Sequence, residues 1–390
     1  MQIAAYVAIL LAVLLPLYAY AGYPLLLWAM GAGRRRMAVP EPAEWPRISI
    51  TVPVHNEGRQ IATTLEALLA LEYPPDRRQV VVVSDASTDF TDDVVRTFAN
   101  RGVELLRMPE RAGKTAAENA AAPILTGEIV VNTDASVRIL PGALKPLIAT
   151  FGDGSVGLAS GRDVSVARLD TAANRGERGY VGYEMWIRRL ETRIGGIVGA
   201  SGCFYAIRAE LHRTPLPEGL SRDFAAALVT RRAGLRAVSV DEAVCLVPRT
   251  ESLRREYRRK VRTMTRGMGT LLDLRALLDP LRYGAFAWML WSHKVSRWLV
   301  PWAAAAGLAG VLVLAWTQPW ARIAAMLCAV GFALAEVGIL WPAGRTPPRW
   351  IALPAYLVMG NAAAMHAALR ALRGRREATW EPTRREPATA

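Results

Sequence analysis

Long apolar stretches at both ends of the 390-residue chain constrain its fold more than any other feature. The first, residues 1–33, contains no charged side chain, and three more follow at 298–321, 323–344 and 350–369. Each is about 20 residues long or longer, which is what an α-helix needs to cross roughly 30 Å of hydrocarbon. We therefore expect a membrane-bound protein with a charged domain between its apolar ends.

The first apolar stretch has one feature of a secretory signal peptide. Ala19-Tyr20-Ala21 fits a small-x-small cleavage site. However, no basic residue precedes the apolar run, the run is too long, and Arg34–Arg36 follows it as a stop signal. We expect a retained anchor, with the arginine triplet in the cytoplasm and the amino terminus outside, by the positive-inside rule.

The net charge of +14 raises the question of nucleic acid binding. The basic residues collect beside apolar segments, at 34–36, 254–266 and 370–385. This distribution favours an anionic membrane surface over nucleic acid. We therefore expect the lipid bilayer as a partner and no nucleic acid.

The three cysteines, Cys203, Cys245 and Cys328, lie far apart and form no Cys-x-x-Cys pair. This number and spacing disfavour a disulfide framework and a zinc site. They indicate a domain in the reducing cytoplasm.

Between the apolar ends, at about 46–250, short β-rich runs alternate with helical stretches. The predicted strands are Ile48–Val54, Val80–Val83, Val103–Arg107 and Glu128–Asn132, and the predicted helices are Gly58–Leu71, Thr91–Ala99 and Lys114–Leu125. Such alternation predicts a parallel sheet with helices on both faces. Ligands of such sheets bind beyond the carboxyl ends of the strands, so polar residues there are the first candidates for a site.

The segment after this domain has a different pattern. Leu253, Tyr257, Val261 and Met264 recur at helical spacing among many arginines, as in a helix that lies in the headgroup plane. The predicted organisation is an anchor at 1–33, the α/β domain at 46–250, amphipathic interfacial helices at 251–292, transmembrane helices at 293–370 and a basic polar tail at 371–390.

The side of the membrane that holds the tail is a separate question. Three carboxy-terminal crossings that start inside would put the basic tail outside, against the positive-inside rule. Either one apolar stretch is interfacial or re-entrant, or residues 283–301 contribute to another crossing. We expect the tail inside.

Two polar turns follow the first two predicted strands. The turn Pro53–Glu57 follows the first strand, where one reading is a simple turn with a helix N-cap. In the second, Ser84–Asp89, small and acidic residues suit turns and caps. Asp85 comes first after its strand and is therefore better placed to meet a base or a ribose.

Gly113-Lys114-Thr115 has the end of a P-loop motif but not its beginning. A P-loop needs a glycine where this chain has Met108, so that reading fails. A lysine at a helix start can still bind a diphosphate as a point charge.

Asp134-Ala135-Ser136 follows the fourth predicted strand and holds one acid. A hard cation such as Mg²⁺ or Mn²⁺ needs only one or two protein carboxylates when diphosphate oxygens and waters complete its shell. Asp134 is therefore a candidate metal ligand, and Ser136 a candidate neutral ligand.

These four turns, in this order, resemble family 2 glycosyltransferases of the GT-A fold, especially the membrane-bound synthases of poly-N-acetylglucosamine, hyaluronan and cellulose. The resemblance covers about residues 46–270. It implies a Rossmann-like mixed sheet in a cytoplasmic domain between transmembrane helices. It also implies nucleotide-sugar binding by the turns and by the following lysine and acid: Pro53, Asn56, Glu57, Asp85, Lys114 and Asp134.

The resemblance also implies a metal site and a catalytic base. Asp134 and Ser136 stand where the family has Asp-x-Asp, so the second acid is missing here. Asp223 stands where the family has its base, with Arg222 in place of the usual Glu. The alternative for Asp223 is an N-cap of the helix that follows. Arg262 is the single match to a Gln-x-x-Arg-Trp motif, with Thr263 in place of Trp.

The implied reaction is an inverting sugar transfer. Asp223 deprotonates an acceptor hydroxyl, while Mg²⁺ or Mn²⁺, Lys114 and Arg262 carry the charge that develops on the leaving diphosphate. The leading hypothesis is a multi-pass enzyme of the cell (inner) membrane that uses a UDP-sugar to build an exported polysaccharide. Two alternatives stay open: a single-sugar transferase with a lipid-linked acceptor, and a non-catalytic assembly subunit. Export or assembly subunits are further candidate partners.

Overall fold

The computed structural model describes residues 1–34, 41–166, 172–248, 253–342 and 347–375, with the backbone alone for 172–178. Predictions that involve Arg35 and Arg36 lie outside these residues. So do those for the end of the basic tail, with Arg376 and Arg385.

The described α/β domain has eight strands. They are β1 (Ile48–Val54), β2 (Arg78–Ser84), β3 (Val103–Arg107), β4 (Ile129–Thr133), β5 (Arg138–Ile139), β6 (Val156–Val166), β7 (Phe204–Arg208) and β8 (Arg236–Pro248). They form one sheet in the order β3-β2-β1-β4-β7-β6-β8-β5. β1 to β4 are parallel, whereas β7 runs antiparallel to both β4 and β6. The prediction of a parallel sheet is therefore correct for the first four strands. The mixed sheet that the resemblance implies is confirmed.

Helices cover both faces of this sheet, as the apolar runs in its strands require. Every residue of β1 and β4 is buried, which is typical of strands covered on both sides. Along β2, Val80 and Val82 pack into one core, whereas Val81 and Val83 pack into another. This alternation is the two-residue period of a strand between two layers.

The helices before the carboxy-terminal region differ from the predicted ones mainly at their ends. They are α1 (Gln2–Leu17), α2 (Tyr23–Gly31), α3 (Ile61–Leu69), α4 (Thr91–Arg96), α5 (Lys114–Ala121), α6 (Leu144–Ala149), α7 (Ala172–Ile194), α8 (Ala209–His212) and α9 (Arg222–Arg232). The helix predicted to reach Leu125 ends at Ala121 and is followed by a short 3-10 turn, Ala122–Ile124. Pro123 explains this end, because proline has no N–H to donate to the carbonyl of the preceding helical turn.

The carboxy-terminal region is helical. Its helices are α10 (Leu253–Asp273), α11 (Pro280–Tyr283), α12 (Ala285–Leu290), α13 (Ser296–Leu314), α14 (Pro319–Ile339) and α15 (Arg349–Leu372). A π-helical turn, Trp291–Val295, joins α12 to α13, and another, Tyr18–Gly22, joins α1 to α2.

In the described chain, four helices are long and apolar enough to cross a membrane. They are Gln2–Gly31, Ala285–Leu314, Pro319–Ile339 and Arg349–Leu372. The second of them begins well before the apolar stretch that predicted it at Trp298. Most of residues 283–301 therefore belong to the same helix as that stretch and form no additional one.

Small residues let the first and second membrane-length helices approach closely. A Cβ on Gly307 would lie 2.3 Å from Ala12 Cβ, and one on Gly310 would lie 2.7 Å from the Ala5 carbonyl oxygen. Such contacts between small residues are how helices pack where lipid removes the hydrophobic driving force. The interface between α1 and α13 therefore requires glycine at both positions.

We predict that Gly307→Leu destabilises the protein by about 1–3 kcal/mol, the usual cost of overpacking. The measurement is the melting temperature of the detergent-solubilised protein. Gly331→Leu is the matched control, because a Cβ on Gly331 of α14 would meet nothing within 4 Å. Equal melting temperatures for the two variants would contradict this packing.

Candidate active site

The loops that follow β1 and β2 are hydrogen-bonded into one unit. Asn56 Oδ1 accepts from the backbone N–H of Thr88 at 2.8 Å and from that of Asp89 at 3.3 Å. The Glu57 N–H donates to Thr91 Oγ1 at 2.8 Å. Asn56 has a positive φ of 55°, which asparagine tolerates better than most residues.

The predicted nucleotide-binding turn therefore also has a structural role, because it holds the loops after β1 and β2 together. Pro53 lies in β1, opposite Val83 of β2. The Glu57 carboxylate accepts a hydrogen bond from Gln60 Nε2. A nucleotide contact by Pro53, Asn56 or Glu57 stays a prediction.

Asp85 is buried and fixes the start of α5. Its Oδ1 accepts from the Ala112 N–H at 2.7 Å, and its Oδ2 accepts from the Gly113 N–H at 2.9 Å. Gly113 has a φ of 98°, which favours glycine. Because Lys114 follows directly, Asp85 holds the loop that positions the lysine, and a contact with base or ribose stays a prediction.

Lys114 connects three segments of the site. Its Nζ donates to Asp134 Oδ1 at 2.6 Å, just beyond β4, and to the Gly202 carbonyl oxygen at 3.1 Å. Burial lowers the pKa of Lys114, but the carboxylates of Asp134 and then Glu118 raise it more, so that it lies above its usual value. The lysine is therefore a cation throughout the physiological pH range.

Asp223 lies beside this ion pair, in the first turn of α9. The N-cap of α9 is Ser221, whose hydroxyl donates to Asp223 Oδ1 at 2.6 Å. Asp223 is partly exposed, and a Cβ on Gly202 would lie 2.9 Å from its Oδ2. Asp223, Lys114 and Asp134 thus come together around the Gly199–Gly202 loop.

Two further charged residues belong to this cluster and were not found from the sequence as a pair. Arg222 Nε lies 3.0 Å from Glu118 Oε2, and both side chains are buried. Burial raises the pKa of Glu118. Arg222 Nη2 also donates to the His212 carbonyl oxygen at 2.9 Å. The arginine that replaces the family's Glu therefore meets an acid supplied by α5, and the pair links the helices that carry Lys114 and Asp223.

Arg266 of α10 reaches this cluster. Its Nη2 donates to Thr115 Oγ1 at 2.9 Å and to the Leu220 carbonyl oxygen, beside the starts of α5 and α9. Arg262 lies one helical turn earlier on the same helix. A role for Arg262 in transfer stays a prediction, and Arg266 is the residue that the motif match missed. Arg266 lies one helical turn after Arg262 in the sequence, and this spacing could have identified it as a further candidate.

A divalent cation fits this site only together with a substrate. Among the described residues, no three histidine, cysteine, aspartate or glutamate side chains are grouped as metal ligands. Asp134 is partly exposed and supplies one carboxylate, and Ser136 lies two residues further on. Oxygen ligands from a diphosphate would have to complete the shell of Mg²⁺ or Mn²⁺.

The charges of the cluster support the same conclusion. Its three cations are Lys114, Arg222 and Arg266, and its three acids are Glu118, Asp134 and Asp223. The cluster is therefore balanced by itself, and a diphosphate would add uncompensated negative charge. A divalent cation would offset that charge.

Comparison with known proteins agrees with this fold. Residues 49–214 match the family model described as glycosyl transferase family 2. A mannosyltransferase from Pyrobaculum calidifontis, solved in complex with GDP-Man and Mn²⁺, superposes with a TM-score of 0.71 at 24% identity, over 94% of this chain and 99% of that one. Residues 49–214 are therefore similar to family 2 glycosyltransferases, and the chain has a GT-A-like fold.

Two curated relatives show how far the sequence similarity extends. The chain is 28% identical to a beta-monoglucosyldiacylglycerol synthase of Nostoc sp. over 156 residues, which are 39% of this chain and 33% of the relative. It is 25% identical to an N-acetylglucosaminyltransferase of Rhizobium sp. over 301 residues, which are 72% of this chain and 65% of the relative. The match thus spans a third of the first relative's length and just under two thirds of the second's.

We predict that Glu118→Gln destabilises the protein by about 3 kcal/mol or more, because it leaves the Arg222 charge buried without its partner. The double variant Glu118→Gln with Arg222→Met should regain much of that loss. The measurement is again the melting temperature in detergent.

The exposed pair Glu66 and Arg101 provides the control, because water already solvates both groups. Glu66→Gln should leave the melting temperature nearly unchanged. A Glu118→Gln variant as stable as Glu66→Gln would show that the buried pair does not hold the two helices together.

Proposed function

We propose that the protein is a membrane-bound, inverting glycosyltransferase that takes a sugar from a nucleotide-diphospho-sugar, with UDP-sugars as the first class to test. The observation that carries this proposal is the meeting of Lys114, Asp134 and Asp223 at the carboxyl edge of the sheet. Ligands of such sheets bind at this edge. A cation, a candidate metal ligand and a candidate base are the groups that sugar transfer from a diphosphate needs.

The proposed mechanism is a single nucleophilic displacement at the anomeric carbon. Asp223 takes the proton of an acceptor hydroxyl, whose oxygen attacks the anomeric carbon as the bond from that carbon to the diphosphate oxygen breaks. Lys114 meets the negative charge on the departing diphosphate as a fixed point charge. Asp134 would hold Mg²⁺ or Mn²⁺ together with the diphosphate, and such a cation would supply further charge stabilisation. The Ser221 hydroxyl holds Asp223 in place through their hydrogen bond.

We infer an acceptor that is carried by a lipid at the membrane surface. Two facts support it: membrane-length helices flank the domain, and one relative is named for a diacylglycerol product. In addition, Thr263 stands where the resembling synthases have the Trp that packs near a polymer. The catalytic domain is then cytoplasmic, at the inner face of the cell membrane.

A growing exported polysaccharide is the second candidate acceptor. It is supported by the N-acetylglucosaminyltransferase relatives, which match over more of this chain than the diacylglycerol synthase does. We expect product analysis by mass spectrometry to give one glycolipid from membrane extracts supplied with donor. A ladder of oligosaccharides would instead assign the enzyme to polysaccharide synthesis.

We predict that the purified full chain, supplied with a membrane extract as the source of acceptor, releases nucleoside diphosphate from a matching member of a panel of UDP- and GDP-sugars with Mn²⁺. Asp223→Asn should lower the turnover by about 10²–10⁴-fold, because the amide cannot take the proton. Donor affinity should change little, since Asp223 acts on the acceptor.

Asp93→Asn is the matched control, because Asp93 is an exposed acid in the first turn of α4 that pairs with Arg96. It should keep the activity of the unmodified chain. Asp223→Asn with undiminished turnover would remove Asp223 as the base. No release from any donor of the panel would overturn the proposed function.

A further inference from the structure

A side chain of α10 holds the start of α9. The Ser221 N–H donates to Thr270 Oγ1 at 2.9 Å. Thr270 is buried, and its own hydroxyl donates to the Arg266 carbonyl oxygen at 2.8 Å, one turn earlier in α10. The hydroxyl therefore donates within its own helix and accepts from another one.

The bond that Thr270 accepts comes from the N-cap residue of α9. The first N–H groups of a helix have no partner within that helix. Thr270 satisfies the N–H of Ser221, and a donor left without a partner away from water is costly. The bond therefore ties the first residue of α9 to α10.

The same serine also holds the candidate base. Its hydroxyl donates to Asp223 Oδ1 at 2.6 Å. A Cβ on Gly202 would lie 2.9 Å from the other carboxylate oxygen of Asp223, and the Gly202 carbonyl accepts from Lys114. Ser221 thus contacts α10 through its backbone and the base through its side chain, so two hydrogen bonds in series join Thr270 to Asp223.

The residue before Ser221 is fixed by α10 as well. The Leu220 carbonyl oxygen accepts from Thr115 Oγ1 at 3.0 Å and from Arg266. Arg266 also donates to Thr115 Oγ1 at 2.9 Å. Thr115 directly follows Lys114 in α5. The turn that leads to Asp223 is therefore fixed with respect to α10 and to the helix that carries the lysine.

The placement of this carboxylate matters for proton transfer. A general base must lie within hydrogen-bond reach of the proton that it takes. Displacement of a reacting group by about 1 Å can cost roughly a hundredfold in rate. Asp223 is partly exposed, so its surroundings leave its side chain room to move. The hydrogen bond from Ser221 limits that movement.

We propose that Thr270 is a positioning residue, which acts through Ser221 to hold the Asp223 carboxylate where an acceptor hydroxyl can reach it. This role rests on the proposed function, in which Asp223 is the base. Thr270 itself touches neither donor nor acceptor in this role. It belongs to α10, beyond residues 49–214 that match the family model.

The test replaces Thr270 by valine, which keeps the shape of the side chain and removes the hydroxyl. Turnover and donor KM are measured on the purified full chain with a membrane extract as the source of acceptor. We expect Thr270→Val to lower the turnover about tenfold, because the base is less often in place. The donor KM should stay within about twofold, since Asp223 acts on the acceptor. Thr270→Ser should restore most of the turnover, because it restores the hydroxyl.

Thr265→Val is the matched control. Thr265 is also buried on α10, and its hydroxyl donates to the Val261 carbonyl oxygen at 2.8 Å, as that of Thr270 donates to Arg266. Among the described residues, no hydrogen bond joins Thr265 to α9. Thr265→Val should keep the turnover of the unmodified chain. A loss as large as that of Thr270→Val would overturn the proposal, because the effect would then belong to the helix and not to the bond with Ser221.

A double variant tests whether the two hydrogen bonds act in series. Ser221→Ala with Thr270→Val should lose no more turnover than the more impaired of the two single variants, because both changes release the same carboxylate. Losses that multiply would show two independent effects and would overturn the proposal.

Hydrogen exchange at the Ser221 amide checks the bond itself, without any need for turnover. We expect Thr270→Val to speed this exchange at least about tenfold and Thr265→Val to leave it unchanged. Unchanged exchange or undiminished turnover in Thr270→Val contradicts the positioning role alone. An unmodified chain that releases no nucleotide from any donor contradicts the proposed function, and the positioning role falls with it.

Discussion

The ion pair between Lys114 and Asp134 is the interaction on which the site depends. The lysine ammonium reaches the end of β4, the Gly202 carbonyl and the neighbourhood of Asp223 from the first residue of α5. Asp85 fixes the position of that first residue through two backbone hydrogen bonds. Without the lysine, Asp134 would lose the cation that lies 2.6 Å from its carboxylate, whereas Glu118 would keep Arg222 at 3.0 Å. The local sheet edge, the helix start and the loop before β7 are thus held in one arrangement by a single charged group.

The same cluster offers one carboxylate, that of Asp134, as a candidate metal ligand. The cluster holds three cations and three acids, so its charges balance in number. In the proposed function, a diphosphate would bind together with a divalent cation, because the two carry less net charge than the diphosphate alone. Arg222 fits this arrangement because Glu118 compensates it from α5.

Local patterns in the sequence were sufficient for much of this structure. The periodicity of β1 and β3 predicted both strands with their observed limits, and the position of Asp134 after a buried strand identified the edge of the site. The Glu118 and Arg222 pair could not be predicted, because each residue reads as an ordinary helical position and only the tertiary fold brings α5 to α9. The Gly199–Gly202 loop carries a weak signal, a run of small residues between a long helix and a strand.

The membrane-length helix Ala285–Leu314 shows a related limit of hydropathy. His293, Lys294 and Arg297 interrupt the apolar run, so the sequence placed its start near Trp298. These polar groups are tolerated because α7 supplies Glu184 and Glu191 to two of them. Polar residues within a membrane-length helix thus indicate contact with the α/β domain.

The central claim is that Asp134 and a nucleotide diphosphate bind one divalent cation together. Electron paramagnetic resonance of Mn²⁺ with the full chain, with and without UDP or GDP, tests it most directly. The account predicts tight Mn²⁺ binding only when a nucleotide diphosphate is present, and a loss of that binding in Asp134→Asn. Mn²⁺ bound equally tightly without nucleotide, or unaffected by Asp134→Asn, would contradict it.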